Sequence, residues 1–122
     1  MWQDIYYTRP NGRQPAKEWI EEQDNSIKPS IDAWRDRLKK EGLFLLENKM
    51  LVPIRESPGG RVVPDFYELR HISKKWRLAI YHDRNKNIFV LISGWRKLEQ
   101  VQEPDVQRAL TLLEEYLSTE GG

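Results

Sequence analysis

Residues 65–97 read DFYELRHISKKWRLAIYHDRNKNIFVLISGWRK, and the fold turns on how this run is divided. Ser73-Lys74 and Asp83-Arg84-Asn85-Lys86-Asn87 have the composition of tight turns. They separate three segments rich in β-branched and aromatic residues, at about 65–71, 75–82 and 87–94. In the middle segment Trp76, Leu78 and Ile80 alternate with Arg77, Ala79 and Tyr81, which is the period of a strand. One face is then apolar and the other carries Arg77 and Tyr81, pointing away from the core. The third segment, Ile88 to Ile92, is apolar on both faces, as a central strand should be. The expectation is an antiparallel three-strand meander.

Working outward, Trp2 to Thr8 is apolar and aromatic enough for an opening strand, stopped by Arg9-Pro10-Asn11-Gly12. Pro15 suits a first helical position, and Ala16, Trp19 and Ile20 recur on one helical face as far as Asp24-Asn25. A second helix follows, with Asn25 or Ser26 as its cap, Pro29 in its first turn and a stripe of Ile27, Ile31, Trp34 and Leu38 that ends at Gly42. The two helices read as a hairpin. Pro104 opens a last helix with the stripe Val106, Leu110, Leu113 and Leu117, and Asp105 near its positive end. Between the second helix and the meander, residues 48–64 hold three prolines and Ser57-Pro58-Gly59-Gly60 between two β-branched runs. That pattern fits a hairpin or a long arm. The sum is a single α+β domain spanning residues 1–122.

Composition narrows the functional classes. At 122 residues the chain buries roughly 65% of its unfolded surface and needs no staples to hold a core. It has no cysteine, which removes disulfides, thiol catalysis and thiolate metal sites, and fits a reducing cytoplasm. Only His71 and His82 offer imidazole, so neither a structural metal nor a cofactor is expected. No apolar run approaches the length of a membrane span, and the N-terminus lacks a long apolar core, so a soluble intracellular protein is expected.

The net charge of +1 conceals a polarity: between Arg70 and Lys97 eight Lys or Arg face one acid, Asp83. Such a segment suits polyanions. RNA cleavage needs a base to deprotonate a 2′-hydroxyl, cations to stabilise the attacked phosphate and an acid to protonate the departing 5′-oxygen. Arg70, Arg77 and Tyr81 on the meander face and Arg96 and Lys97 at its end supply such groups. Arg77 is the leading phosphate clamp, its planar fork matching phosphate oxygens. Arg70 either joins it or pairs with Glu68. Tyr81 is an acid, a base-stacking platform or a half-buried sheet aromatic. His71 would titrate near neutral pH, whereas His82 sits on the apolar side beside a turn and reads as structural. Lys74, Lys75, Arg61 and Arg55 extend the cationic surface for RNA.

The order WQDIYYT, FYELR, KWRLAIYHD and NIFVLISGWRK, followed by ALTLLEEYL, resembles the HigB-like branch of the RelE/ParE superfamily, the toxins of bacterial toxin–antitoxin pairs. The resemblance spans nearly the whole chain. It implies a helix pair on one face of a curved antiparallel sheet, ribosome-dependent cleavage of messenger RNA and a cognate antitoxin that covers the active surface. Arg70 corresponds to the arginine ending Y-E-L-R, Arg77 to a phosphate-binding arginine, and Lys97 to the basic residue after Gly-aromatic. The chain departs from the family where residues 97–104 read KLEQVQEP in place of a lysine-rich stretch, and where Ser93 replaces a frequent histidine. Two other functions share this fold: a ParE-like inhibitor of DNA gyrase and a non-catalytic nucleic-acid-binding relative.

Overall fold

A computed structural model describes residues 1–98 and 102–120. Its elements run β1 (Asp4–Tyr6), α1 (Pro15–Glu22), α2 (Lys28–Glu41), a 3₁₀ turn (Gly42–Leu46), β2 (Leu51–Arg55), β3 (Val62–His71), β4 (Trp76–Asp83), β5 (Ile88–Arg96) and α3 (Glu103–Glu120). The fold is α+β. The three expected strands are present, but as the inner part of a five-stranded sheet ordered β1-β5-β4-β3-β2. The sheet is mixed, because β1 runs parallel to β5 while the other pairs are antiparallel. A strand apolar on both faces needs neighbours at both edges. β1 fills the free edge of β5, with Phe89 N–H donating to Gln3 O and Tyr7 N–H to Leu91 O.

Residues 48–64 resolve as a hairpin in which β2 pairs with β3, with an irregularity between Pro53 and Arg55. Proline has no N–H for the ladder and belongs on an edge strand, which is where β2 lies. α1 begins at Pro15 and ends at Glu22. Neither Asn25 nor Ser26 caps α2; Ile27 stands at that position without a side-chain cap. Asp24 instead accepts from the Ser26 N–H and hydroxyl, turning the chain between the helices.

The sheet is covered on both faces. On one, α1 and α2 bury Ile20, Ile31 and Leu38 against Leu69, Trp76, Leu78, Ile80, Phe89 and Leu91. On the other, α3 buries Ala109, Leu112, Leu113 and Tyr116 against Phe66, Ala79, Val90, Ile92 and Trp95. The meander face carrying Arg77 and Tyr81 was expected to be open. α3 covers it because its apolar stripe needs a partner and Phe66, Ala79, Val90 and Ile92 provide one.

Polar ties fix α3 at its C-terminal half. Tyr116 donates to Asp83 Oδ2 at 2.6 Å, and Glu115 accepts from Tyr7 and Arg9. Burial raises the Asp83 carboxyl, but the Tyr116 hydroxyl and the Lys86 and Asn85 backbone N–H groups outweigh it and hold Asp83 below its ordinary 3.8. A depressed carboxyl contributes stability above its unfolded pKa and loses it as pH falls through the folded value. Tyr116→Phe is therefore expected to lower stability by about 1 to 3 kcal/mol at neutral pH. In urea unfolding followed across pH, the gap to wild type should close as the solution is acidified below the ordinary carboxylate range.

Candidate functional site

The site arises from a bulge in β5. Ala79 pairs with Ser93 but Ile80 with Leu91, so Ile92 is an extra residue. Strict alternation would put Ile88, Val90, Ile92, Gly94 and Arg96 on one face. The bulge reverses the parity after Ile92, so that Ser93 and Trp95 face α3 while Gly94 and Arg96 face the helix pair. Gly94 is required there, since a Cβ would lie 2.3 Å from the Trp19 ring of α1.

On the α3 side this produces two cross-strand rows, Val52, Glu68, Ala79 and Ser93 in one, Arg70, Arg77 and Trp95 in the next. Their centre is the Glu68 carboxylate. Arg77 Nε lies 2.9 Å from Glu68 Oε1 and Arg70 Nε 3.7 Å from the same oxygen. Arg77 is 4% exposed, and its Nη1 donates to the carbonyls of Trp76 and His71. The Nε atoms of Arg70 and Arg77 are buried beside Glu68, and both contacts are ion pairs. Lys97 adds a third positive charge acting on Glu68.

Burial pushes Glu68 upward against the pull of Arg77, Arg70 and Lys97. It pushes Arg77 downward, helped by Arg70 and opposed by Glu68. Both shifts have the same first cause: burial opposes each charge, and the opposite charge beside it offsets part of that cost. Three cations act on the one carboxylate of Glu68.

This cluster opens into a cavity of about 470 Å³, with Glu68 and Arg70 in its wall. The β2–β3 hairpin supplies Val52, Pro53, Ile54, Arg55 and Pro58, and the start of α3 supplies Gln102, Glu103, Val106 and Gln107. Gln107 Nε2 donates to Glu56 O and ties α3 to the hairpin, while Trp95 Nε1 donates to Gln102 Oε1.

Of the residues expected in a site, Arg70, Arg77, Lys97 and Arg55 come together here. The others do not. His71 lies on the opposite face, its ring 4.2 Å from that of Trp34, with Nδ1 accepting from Lys74 N–H. Burial, then Lys74 and Arg77, hold it below its ordinary pKa, and its ring packs against Trp34 and Trp76, away from the Glu68 cluster. Tyr81 is four residues along β4 from Arg77, about 13 Å away, beside Tyr116; burial and then Asp65 and Asp83 raise its pKa. Arg77, expected as an exposed phosphate clamp, is buried.

Arg96 faces the helix pair and donates to Lys75 O. Lys74 and Lys75 stand exposed in the β3–β4 turn, and Arg61 is at the hairpin tip, 4.0 Å from Glu56. Arg84 pairs with Asp65 at the other end of the sheet. The eight cations of the 70–97 segment therefore form several patches and no continuous face. His82 is buried against Trp2 and Phe89, as a structural residue should be.

Sequence reading missed Glu68 as a member of the cluster in its own right, together with Ser93, whose buried Oγ has no hydrogen-bond partner among the described residues. It also missed the contribution of Gln102, Val106 and Gln107. The alternation Phe66, Glu68, Arg70 signals Glu68, since that period places an acid on the face of Arg77. Residues 99–101, within the stretch that departs from the lysine-rich pattern, lie outside the described residues. No protein-family model matches the chain, and no curated protein matches it either.

Removing one partner of a buried ion pair strands the other. Arg77→Met is expected to cost about 3 to 5 kcal/mol, and the double variant Glu68→Leu/Arg77→Met to recover most of that loss. Urea denaturation of the single and double variants measures the coupling.

Proposed function

We propose that this chain is a toxin-type endoribonuclease that binds a phosphodiester of messenger RNA at the Glu68–Arg70–Arg77–Lys97 cluster and cleaves it on the ribosome. The observation that carries this reading is the convergence of three cations on one buried carboxylate at the wall of an open cavity. A phosphodiester, singly negative and rich in acceptor oxygens, supplies charge and acceptors that the accessible Arg70 guanidinium can take. The order of the motifs on the chain supports the same class.

In the reaction, Arg70 holds a non-bridging phosphate oxygen and Arg77 orients Glu68 from beneath. The Glu68 carboxylate, made more basic by burial, takes the proton of the 2′-hydroxyl. The 2′-oxygen then bonds to phosphorus and the P–O5′ bond breaks. Arg70 and Lys97 stabilise the added charge in the transition state, and the Lys97 ammonium passes a proton to the departing 5′-oxygen. The products are a 2′,3′-cyclic phosphate and a free 5′-hydroxyl, with charge and protons balanced. A cognate antitoxin would silence the enzyme by placing acidic residues over Arg70 and Lys97, which remain accessible where Arg77 is not.

Arg77 is a poor probe because its loss disturbs the fold, so the test uses Arg70 and Lys97. Induced synthesis of wild type in bacteria, with cuts in a translated message mapped by primer extension, is expected to show cleavage within the reading frame. Arg70→Ala and Lys97→Ala should each remove on the order of 10²-fold of that cleavage with the fold intact by circular dichroism. Cuts unchanged in both variants would sink the assignment. Absence of cuts with a rise in DNA-damage signalling would replace it with gyrase inhibition, and absence of both with a binding module.

A further inference from the structure

At one end of the sheet two exposed segments stand clear of both apolar cores. The β3–β4 turn reads Ile72-Ser73-Lys74-Lys75, with all four residues exposed, and β5 leaves the sheet through Arg96-Lys97-Leu98. Lys97 N–H donates to Lys75 O at 2.8 Å and Arg96 Nε to the same carbonyl at 3.4 Å, so the two segments lie side by side. Each carries one large aliphatic side chain in the open: Ile72 is 66% exposed and Leu98 68%.

Neither segment contains an acid. Lys74 and Lys75 form no ion pair among the described residues. Asp24, in the turn between α1 and α2, acts on Arg96, and Lys97 acts on Glu68. Glu99 follows Leu98 in the chain and lies outside the described residues. The two segments thus present cations with an aliphatic side chain beside them in each.

We propose that this pair of loops is a peripheral docking site for an anionic phospholipid bilayer, with Lys74, Lys75, Arg96 and Lys97 on the headgroups and Ile72 and Leu98 inserted between them. Cations are drawn to an anionic leaflet, and apolar side chains at the same place add burial at the acyl boundary; the two contributions together hold a domain reversibly on a surface. A single-stranded nucleic acid would use the same cations, but its sites add aromatic rings on which bases stack. Ile72 and Leu98 offer no such ring, and exposing them to water is compensated only by a surface that has an apolar layer. No helix among the described residues is long and apolar enough to cross a membrane, so the contact is with one leaflet. The site stands apart from the phosphodiester reading: of its residues only Lys97 belongs to the Glu68 cluster, and the variants below leave it in place.

The test is co-sedimentation of the full chain with vesicles of phosphatidylcholine alone and of phosphatidylcholine mixed equally with phosphatidylglycerol. Binding is expected to the mixed vesicles only. Lys74→Gln/Lys75→Gln should weaken it by about 25-fold, roughly fivefold for each cation near the surface, and Ile72→Ser by about tenfold. Because the chain has no cysteine, Ile72→Cys can carry a polarity-sensitive dye at a single position. Its emission should shift to the blue on the mixed vesicles, whereas the same dye on Asn85→Cys, in the β4–β5 turn at the opposite end of the sheet, should not shift. No binding by the folded chain, equal binding to both vesicles, or a dye shift at both positions would overturn the proposal. Binding that falls in the lysine variant and not in Ile72→Ser would also overturn it, and retention of a single-stranded oligoribonucleotide by the same lysines would then assign the patch to nucleic acid. The readout involves neither message nor cleavage, so its failure leaves the nuclease reading untouched.

Discussion

The Glu68–Arg77 ion pair is the constraint on which the rest of this molecule depends. A guanidinium 4% exposed on a sheet face has few ways to be tolerated. It needs an anion, acceptors for its remaining N–H groups and a cover that keeps the arrangement in place. Glu68 is the anion, the carbonyls of Trp76 and His71 are the acceptors, and α3 with Trp95 is part of the cover. Such a pair is weak evidence for stability, because desolvation consumes much of the Coulombic gain. In the function proposed above its use is positional: it holds a carboxylate at a fixed place beside Arg70 and Lys97.

Two devices bring the remaining parts to that pair. The β5 bulge reverses side-chain parity beyond Ile92, so that Trp95 joins the Arg77 row and Gly94 receives the Trp19 ring on the other face. The β2–β3 hairpin meets α3 through the Gln107–Glu56 contact and frames an open cavity over the sheet surface. Both devices sit at one end of α3. The other end is held by Tyr116 on Asp83 and by Glu115 on Tyr7 and Arg9, so cover and site share a helix but not their anchors.

Much of this architecture was legible in the residues. Period-2 alternation located β3 to β5, Pro15 opened α1, and the stripe Val106, Leu110, Leu113 and Leu117 located α3, although the face it buries is Ala109, Leu112, Leu113 and Tyr116 and Leu117 stays exposed. The sheet beyond the meander was less visible, because β1 is only three residues long and its pairing is long-range. Placement of the stripe against the Arg77 face was also illegible: an apolar stripe shows that a helix must be covered and says nothing of which sheet face covers it. The cationic count misled for a related reason. Arg84, Arg96 and Arg77 are close in sequence yet go to a turn, one sheet face and the other, and a bulge is silent in composition. For the candidate cluster, strand period put Arg70 and Arg77 on one face, but did not show that α3 buries Arg77 there. The place of His71 was not legible, since its face is set by the Trp34 and Trp76 rings that pack around it.

The most direct test of the central claim is the salt dependence of binding to a 2′-O-methyl oligoribonucleotide, which occupies the cluster without being cut. Each cation that neutralises a phosphate of a single strand contributes roughly 0.7 to the slope of log affinity against log salt. Binding whose slope falls by about that amount in Arg70→Ala and again in Lys97→Ala, but not in Arg84→Ala at the far end of the sheet, is what the account predicts. An unchanged slope in the first two variants, or no binding by the folded wild type, would contradict it.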